Sequence, residues 1–302
     1  MKLSNLQLFA ICVVIWGSTW LAITFQLGRV APEVSVGVRF VLAASVLFLF
    51  CRWRGHNLTF TRRQHIDLML FGVAMFCLSY IFVYHAELYI ISGMVAVAYS
   101  ASPMINMWAS RFLFGTPVTA RVSIAACLGI VGIVLVFWHE FGKLSTTRNV
   151  AIGVGFTVLS VLASSAGSMV AVRTQRLGFA TWPSMVWGMA YGGLFALLYA
   201  AIIGRSFHIE LSFSYLSSLI YLALFGSIIT FGCYLTLLKR IGAARSAYVG
   251  VMVPVVALVI SYYFEQFQWG LLTTAGVALL LVGNVLMLQS PAPATLPFDK
   301  RR

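Results

Sequence analysis

Charged side chains inside apolar runs are the residues here best able to do chemistry. Arg39 lies six residues past Glu33 in PEVSVGVRFVLAASVLFLF, which puts it about 9 Å along a helix at the usual rise. A guanidinium at that depth offers a carboxylate two parallel hydrogen bonds; it could equally snorkel outward or pair with Glu87. Six residues is a poor spacing for a bond back to Glu33 on one helix. His85 and Glu87, near the outer end of the third apolar run, are candidate proton carriers, since histidine titrates near physiological pH.

Uncharged polar and aromatic groups recur at helical spacing. Tyr99, Ser102, Asn106 and Ser110 share one face, as do Thr157, Ser160, Ser164 and Ser168; Tyr80, Tyr84 and Glu87 run down a third helix, and Thr230 and Tyr234 pair on another. Trp16, Ser18 and Trp20 in the first run, Trp187 and Tyr191 in the seventh, and Tyr248 add further groups away from interfacial aromatic belts. Facing lipid they would be costly, so they face inward and either line a cavity or join helices. The cavity reading selects Trp16, Ser18, Arg39, Tyr80, Tyr84, Tyr99, Asn106, Ser164, Trp187, Tyr191, Tyr234 and Tyr248. Pro103 and Pro254, each near the middle of its run, are the candidate hinges, because proline removes a helical hydrogen bond.

These residues need elements to hold them, and composition says which. With 61% hydrophobic and 9% charged residues and a mean hydropathy of +0.96, the chain cannot cover a water-soluble globule with polar surface. It reads as an all-α integral membrane protein. Ten runs are long enough to cross a bilayer, at about 6–27, 33–51, 67–88, 92–113, 119–138, 150–172, 181–203, 215–238, 245–264 and 271–289. The first run exceeds a signal-peptide core and no clear cleavage site follows it, so it is expected to be retained.

A tandem repeat organises the ten. AVAYSASPMINMWASRF returns 151 residues later as AYVGVMVPVVALVISYY, aligning Pro103 with Pro254, Gly132 with Gly283, Pro32 with Pro183 and Arg54 with Arg205. Internal repeats take precedence over local propensity in deciding a fold. Five spans per half is an odd number, so the halves cross in opposite senses as an inverted repeat, an arrangement typical of secondary transporters with a midplane site between halves. The expected division is 1–138 for the first repeat, 139–149 for an external connecting loop, 150–289 for the second repeat and 290–302 for a disordered cytoplasmic tail.

Fifteen of the 20 Lys and Arg residues fall on one side, Lys2, Arg54, Arg63, Arg176 and Lys300 among them; Arg29, Lys143, Arg148 and Arg205 fall on the other. The positive-inside rule makes both termini cytoplasmic. The net charge of +13 is thereby a matter of topology, and nucleic acid is not expected as a partner. Cys12, Cys51, Cys77, Cys127 and Cys233 have neither disulfide nor metal-ligand spacing, so no metal site is expected. No P-loop, zincin or G-x-S-x-G motif is present, which leaves no seat for ATP hydrolysis or covalent catalysis and implies no cofactor.

WGSTW at 16–20, VRF at 38–40, LKRIGAARSAYVGVMVP at 238–254 and AGVALLLVGN at 275–284 resemble the EamA-like transporters of the drug/metabolite transporter superfamily over nearly the whole chain. The resemblance implies two EamA-type halves with a central cavity, and export of an amino acid or related small metabolite across the bacterial inner membrane by alternating access. A proton-coupled importer is the alternative within transport; a membrane-embedded enzyme or sensor is the alternative outside it. The family commonly carries Gly-Glu after the fourth and ninth spans. Here Gly115 is followed by Thr116, and Glu265 stands two positions earlier than the repeat would put it. The expected partners are a small-molecule substrate and the lipid bilayer, with a homodimer left open.

Overall fold

The computed structural model describes residues 3–115, 120–144, 148–246 and 248–288. All regular structure among them is helical, as the bilayer core demands of a chain that must satisfy its own backbone groups. The helices are α1 (Asn5–Thr24), α2 (Pro32–Trp53), α3 (Arg62–Glu87), α4 (92–114), α5 (Ala120–Leu144), α6 (Arg148–Arg176), α7 (Thr181–Ile202), α8 (213–246), α9 (Tyr248–Phe264) and α10 (Leu271–Leu288). Six helical spans, α1, α2, α3, 149–176 of α6, α7 and 213–237 of α8, are long and apolar enough to cross a membrane; shorter apolar stretches lie in α5, α9 and α10.

Local chemistry fixes the helix ends. Ser4 and Gln7 cap α1 reciprocally, and Thr61 and Gln64 do the same for α3. The second capping box starts α3 five residues before its apolar run begins, because two orphan N–H groups are satisfied there. Pro32 occupies the first turn of α2, where its missing N–H costs nothing. Helical backbone extends through Leu144 and resumes at Arg148, so of the expected connecting loop only 145–147 lies outside the described residues, along with the tail from 289.

Two helices carry π-helical stretches at matching places. In α3 the stretch is Val73–Leu78 and in α8 it is Tyr221–Ile229; the 151-residue offset superimposes the first on the second. In α8 the wider turns are held by side chains as well, with Ser227 Oγ donating to the Leu222 carbonyl (2.9 Å) and Thr230 Oγ1 to the Phe225 carbonyl (2.6 Å). π-Bulges inside α-helices concentrate at functional sites.

The tightest helix pairs all join one half of the chain to the other: α5 with α10, α2 with α7, α1 with α9 and α8, and α3 with α6 and α7. Exchanging the halves turns each of these pairs into one that also occurs: α1·α9 becomes α6·α4, α1·α8 becomes α6·α3 and α3·α7 becomes α8·α2. Backbones come close where glycines face each other. A Cβ on Gly132 would lie 2.7 Å from the Gly276 carbonyl oxygen, and one on Gly276 equally close to that of Gly132; small residues permit such contacts between apolar helices.

Candidate functional site

Arg39 stands at the seam between the halves. On α2 it is 2% exposed, with its guanidinium carbon 4.7 Å from the Tyr80 ring centre and 5.0 Å from that of Phe40. It reaches α8 of the second half, where a Cβ on Gly226 would meet its Nη2 at 3.8 Å. The aromatic faces attract the cation but offer no hydrogen bond, and Nε and Nη1 are buried without a partner.

Around it lie other groups with spare capacity. Tyr84, fully buried beside the guanidinium, donates its hydroxyl to Gln26 Oε1 at 2.7 Å, leaving Gln26 Nε2 unbonded and buried. Glu87 is within electrostatic range of Arg39 and Glu265; both of its carboxylate oxygens are buried and unpartnered. Buried polar groups are nearly always paired, so each orphan calls for an explanation. Three together, offering N–H donors from two side chains and a carboxylate from the third, make a site chemically complementary to a solute with both an anionic and a cationic group.

Glu33 pairs away from Arg39, in keeping with their six-residue spacing. Its Oε1 lies 2.9 Å from His85 Nε2 and its Oε2 3.5 Å from Arg205 Nε, while Arg29 and Glu210 pair nearby at 3.3 Å. The His85 ring stacks on Phe156, 5.1 Å between centres. His85 is thus part of a network with Glu33 and Arg205 at one end of the bundle; Glu33 and Arg205 there, and Gln26 beside Tyr84, are residues that the sequence did not single out for the site. All three stand at the ends of apolar runs, where charged and amide groups draw no attention.

The remaining candidates divide into groups. Trp20 and Tyr99 pack edge to face at 5.0 Å, and the Tyr99 hydroxyl pairs with Ser79 Oγ at 2.8 Å. Ser18 pairs with the Tyr221 hydroxyl at 2.7 Å, where α8 turns π-helical. Trp16 donates to the Gly226 carbonyl in that same stretch (3.1 Å) and lies 5.5 Å from Tyr234. These residues therefore gather at the junction of α1, α3, α4 and α8. Asn106 keeps a buried, unpartnered Oδ1, and Ser164 Oγ approaches Met75 Sδ at 3.7 Å within the π-helical part of α3.

Trp187 and Tyr191 are placed elsewhere. Trp187 donates to the Leu58 carbonyl (2.9 Å) and Tyr191 pairs with His65 Nδ1 (2.9 Å), which straps the 54–61 loop and the first turn of α3 to α7. Trp187 also lines an outward-facing apolar groove of about 400 Å3 between α2 and α7, beside Phe48 and Leu194. Tyr248 begins α9 and is half-buried. Pro103 follows a 3-10 turn, Tyr99–Ala101, that breaks α4 and leaves it exposed, whereas Pro254 is buried inside an uninterrupted α9. Thr116 lies outside the described residues. No group of three or more His, Cys, Asp or Glu that could hold a metal ion occurs among the described residues.

The two ends of α4 differ. Ser92–Val97 are all buried, while no residue from 98 to 113 is. α4 is thus tightly packed at the end bearing Glu33 and His85 and loosely packed toward the other, where α1, α8 and α9 bury Leu8, Cys12, Leu237 and Val249 against one another.

Known proteins are similar to this chain over nearly its whole length. The inner membrane transporter YedA of Escherichia coli (strain K12), itself named as uncharacterized, is 27% identical over 97% of this chain and 95% of its own. PagO of Salmonella typhimurium is 22% identical over 95% and 93%, and PecM of Dickeya dadantii 25% identical over 88% and 85%. A solved crystal structure superimposes with a TM-score of 0.67 over 94% of this chain and 96% of its own at 15% identity, which shows a shared fold. The model of the EamA-like transporter family matches twice, at residues 4–138 and 151–289. With both repeats matched across nearly its whole length, the chain belongs to the EamA-like transporter family.

Proposed function

We propose that this protein is a secondary transporter that exports a small organic metabolite, an amino acid or related compound foremost, across the bacterial inner membrane by alternating access. The observation that carries the reading is the set of unpartnered polar atoms on Arg39, Gln26 and Glu87 at the seam of the halves. An uncompensated charge in such surroundings costs several kcal/mol, and an intramembrane ionisable residue is by default a functional one. Arg39 and the Gln26 amide would bind the carboxylate of a solute and Glu87 its cationic group, with Tyr80 as an aromatic wall.

In this reading α4, α5, α9 and α10 also cross the bilayer, completing ten spans in two inverted halves. The basic bias of the connecting loops supports cytoplasmic termini, which makes the Glu33–His85–Arg205 end external. Packing that is tight there and loose around residues 98–113 then corresponds to a cavity open to the cytoplasm, as an exporter awaiting its load requires. Glu87 and His85 are the groups through which a proton gradient would act.

The test is counterflow in proteoliposomes carrying purified protein, with radiolabelled amino acids supplied one at a time. Saturable exchange of at least one is expected, with Arg39→Met and Glu87→Gln each lowering it tenfold or more. Wild-type exchange by both variants would remove these residues from the site. An imposed pH gradient in the same vesicles decides direction, since an importer accumulates solute on the side of the 54–61 loop.

A further inference from the structure

Glu265, an acidic residue outside the central cluster, ties α9 of the second half to α4 of the first. Glu265 follows the last turn of α9. Its Oε1 accepts a bond from the Ser92 backbone N–H (3.2 Å) and its Oε2 one from Ser92 Oγ (2.6 Å), at the first turn of α4. Ser261 Oγ donates to the same carboxylate and accepts from the Gly93 N–H at 3.0 Å. The start of α4 has no side-chain cap of its own, and its first two orphan N–H groups, of Ser92 and Gly93, are satisfied by the other half of the protein. A carboxylate there also meets the positive end of the helix dipole. The approach is close, since a Cβ on Gly93 would fall 2.5 Å from Ser261 Oγ.

The turn that aims this carboxylate is pinned on both sides. Gln266 takes a left-handed conformation (φ 56°), and among the described residues it is the only non-glycine to do so. Phe267 then drops into the main core, its N–H bonded to the Ser261 carbonyl at 3.2 Å. The repeat supplies a comparison at the opposite end of the path. Gly115, the counterpart of Gln266, is left-handed as well (φ 69°), so the same turn ends α4. The chemistry is missing, however: Phe114 stands at the position of Glu265, and Ala243 and Ala244 at those of Ser92 and Gly93.

We propose that Glu265 is the latch of the outer gate, tying α9 to α4 and holding the external end of the path shut, with Phe114 and no acid at the matching position of the inner end. The inference rests on the transporter reading above and on the external placement of this end. It accounts for α4 being fully buried over Ser92–Val97 and nowhere from 98 to 113, and it gives the displaced family glutamate a role. Opening the transporter outward breaks the carboxylate's bonds; at the inner end the acid–base contact between the halves, among the described residues, is the more exposed Arg173–Asp67 pair of α6 and α3 (3.3 Å), which involves neither α4 nor α9.

The test reads accessibility rather than flux, so it stands whether or not a transported solute has been found. In a background with the five cysteines replaced by alanine, Ala96→Cys places a thiol one turn behind the latch on a residue that is 1% exposed. A membrane-impermeant maleimide added to the external face should label it tenfold or more faster when Glu265→Ala is added, with Glu265→Gln intermediate. Gln266→Gly, which keeps the carboxylate and relieves the left-handed strain, should label at the parental rate. Equal rates for parent and Glu265→Ala would overturn the proposal. So would an equal rise in Gln266→Gly, since the turn and not the carboxylate would then be closing the gate. Should Glu265→Ala fail to accumulate, Glu265→Gln against the parent carries the same decision. Parental labelling only from the cytoplasmic face would overturn the external placement while leaving solute exchange intact.

Discussion

Arg39 gives up water for two aromatic faces, and its Nε and Nη1 receive nothing in return. Replacing a buried ionic group by an apolar one of similar volume is often neutral or stabilising by about 1–4 kcal/mol. Arg39→Met should therefore leave the thermal midpoint in detergent unchanged or raised while exchange is lost; a midpoint that falls steeply would mark Arg39 as a structural residue. That opposition between stability and activity is expected where strain serves function. Arg39 was visible in the sequence because a charge inside an apolar run has few bland explanations. Its neighbour Gln26 was not, because an amide at the edge of a run looks like a loop residue until Tyr84 is seen bonded to it. Trp187 and Tyr191 matched the pattern of cavity walls, yet their polar atoms go to Leu58 and His65, and only the path of the 54–61 loop could reveal that.

At the scale of helices, glycines separate contacts that matter from those that do not. Gly132→Ala drives a methyl against the Gly276 carbonyl and should destabilise the protein by about 1–3 kcal/mol, the usual range for overpacking. Gly155→Ala in α6 meets nothing within 4 Å and should be neutral or gain up to about 1 kcal/mol from helix propensity. Denaturation of both in one detergent decides the matter: similar losses would mean that the α5·α10 contact is not as close as described. Most helix positions follow from run length and caps, so they were legible. The π-helical stretches of α3 and α8 were not, because a wider turn carries no compositional signature and is selected by tertiary packing. Their matched positions show only after the repeat has been aligned.

For the whole molecule, the proposed topology of ten spans with cytoplasmic termini predicts that the 54–61 and 204–212 loops lie on opposite sides of the membrane. His56→Cys and His208→Cys, both in exposed positions, should react with an impermeant thiol reagent only in inside-out and only in right-side-out vesicles, respectively. Reaction of both from one side would sink the inverted arrangement. The duplication was readable because two prolines and several glycines kept their spacing; which helices touch was not, because near-identical apolar surfaces give no pairing code. The pairing has a consequence for synthesis. Since the tightest contacts join the halves, helices α1 to α5 emerge first with the surfaces meant for α6 to α10 still uncovered. At about 5–20 residues per second, the first half waits many seconds in the bilayer for its counterpart, with only lipid and its own weaker helix contacts to cover those surfaces. The gene's two halves can thus be translated in sequence, but the protein they encode can be assembled only once.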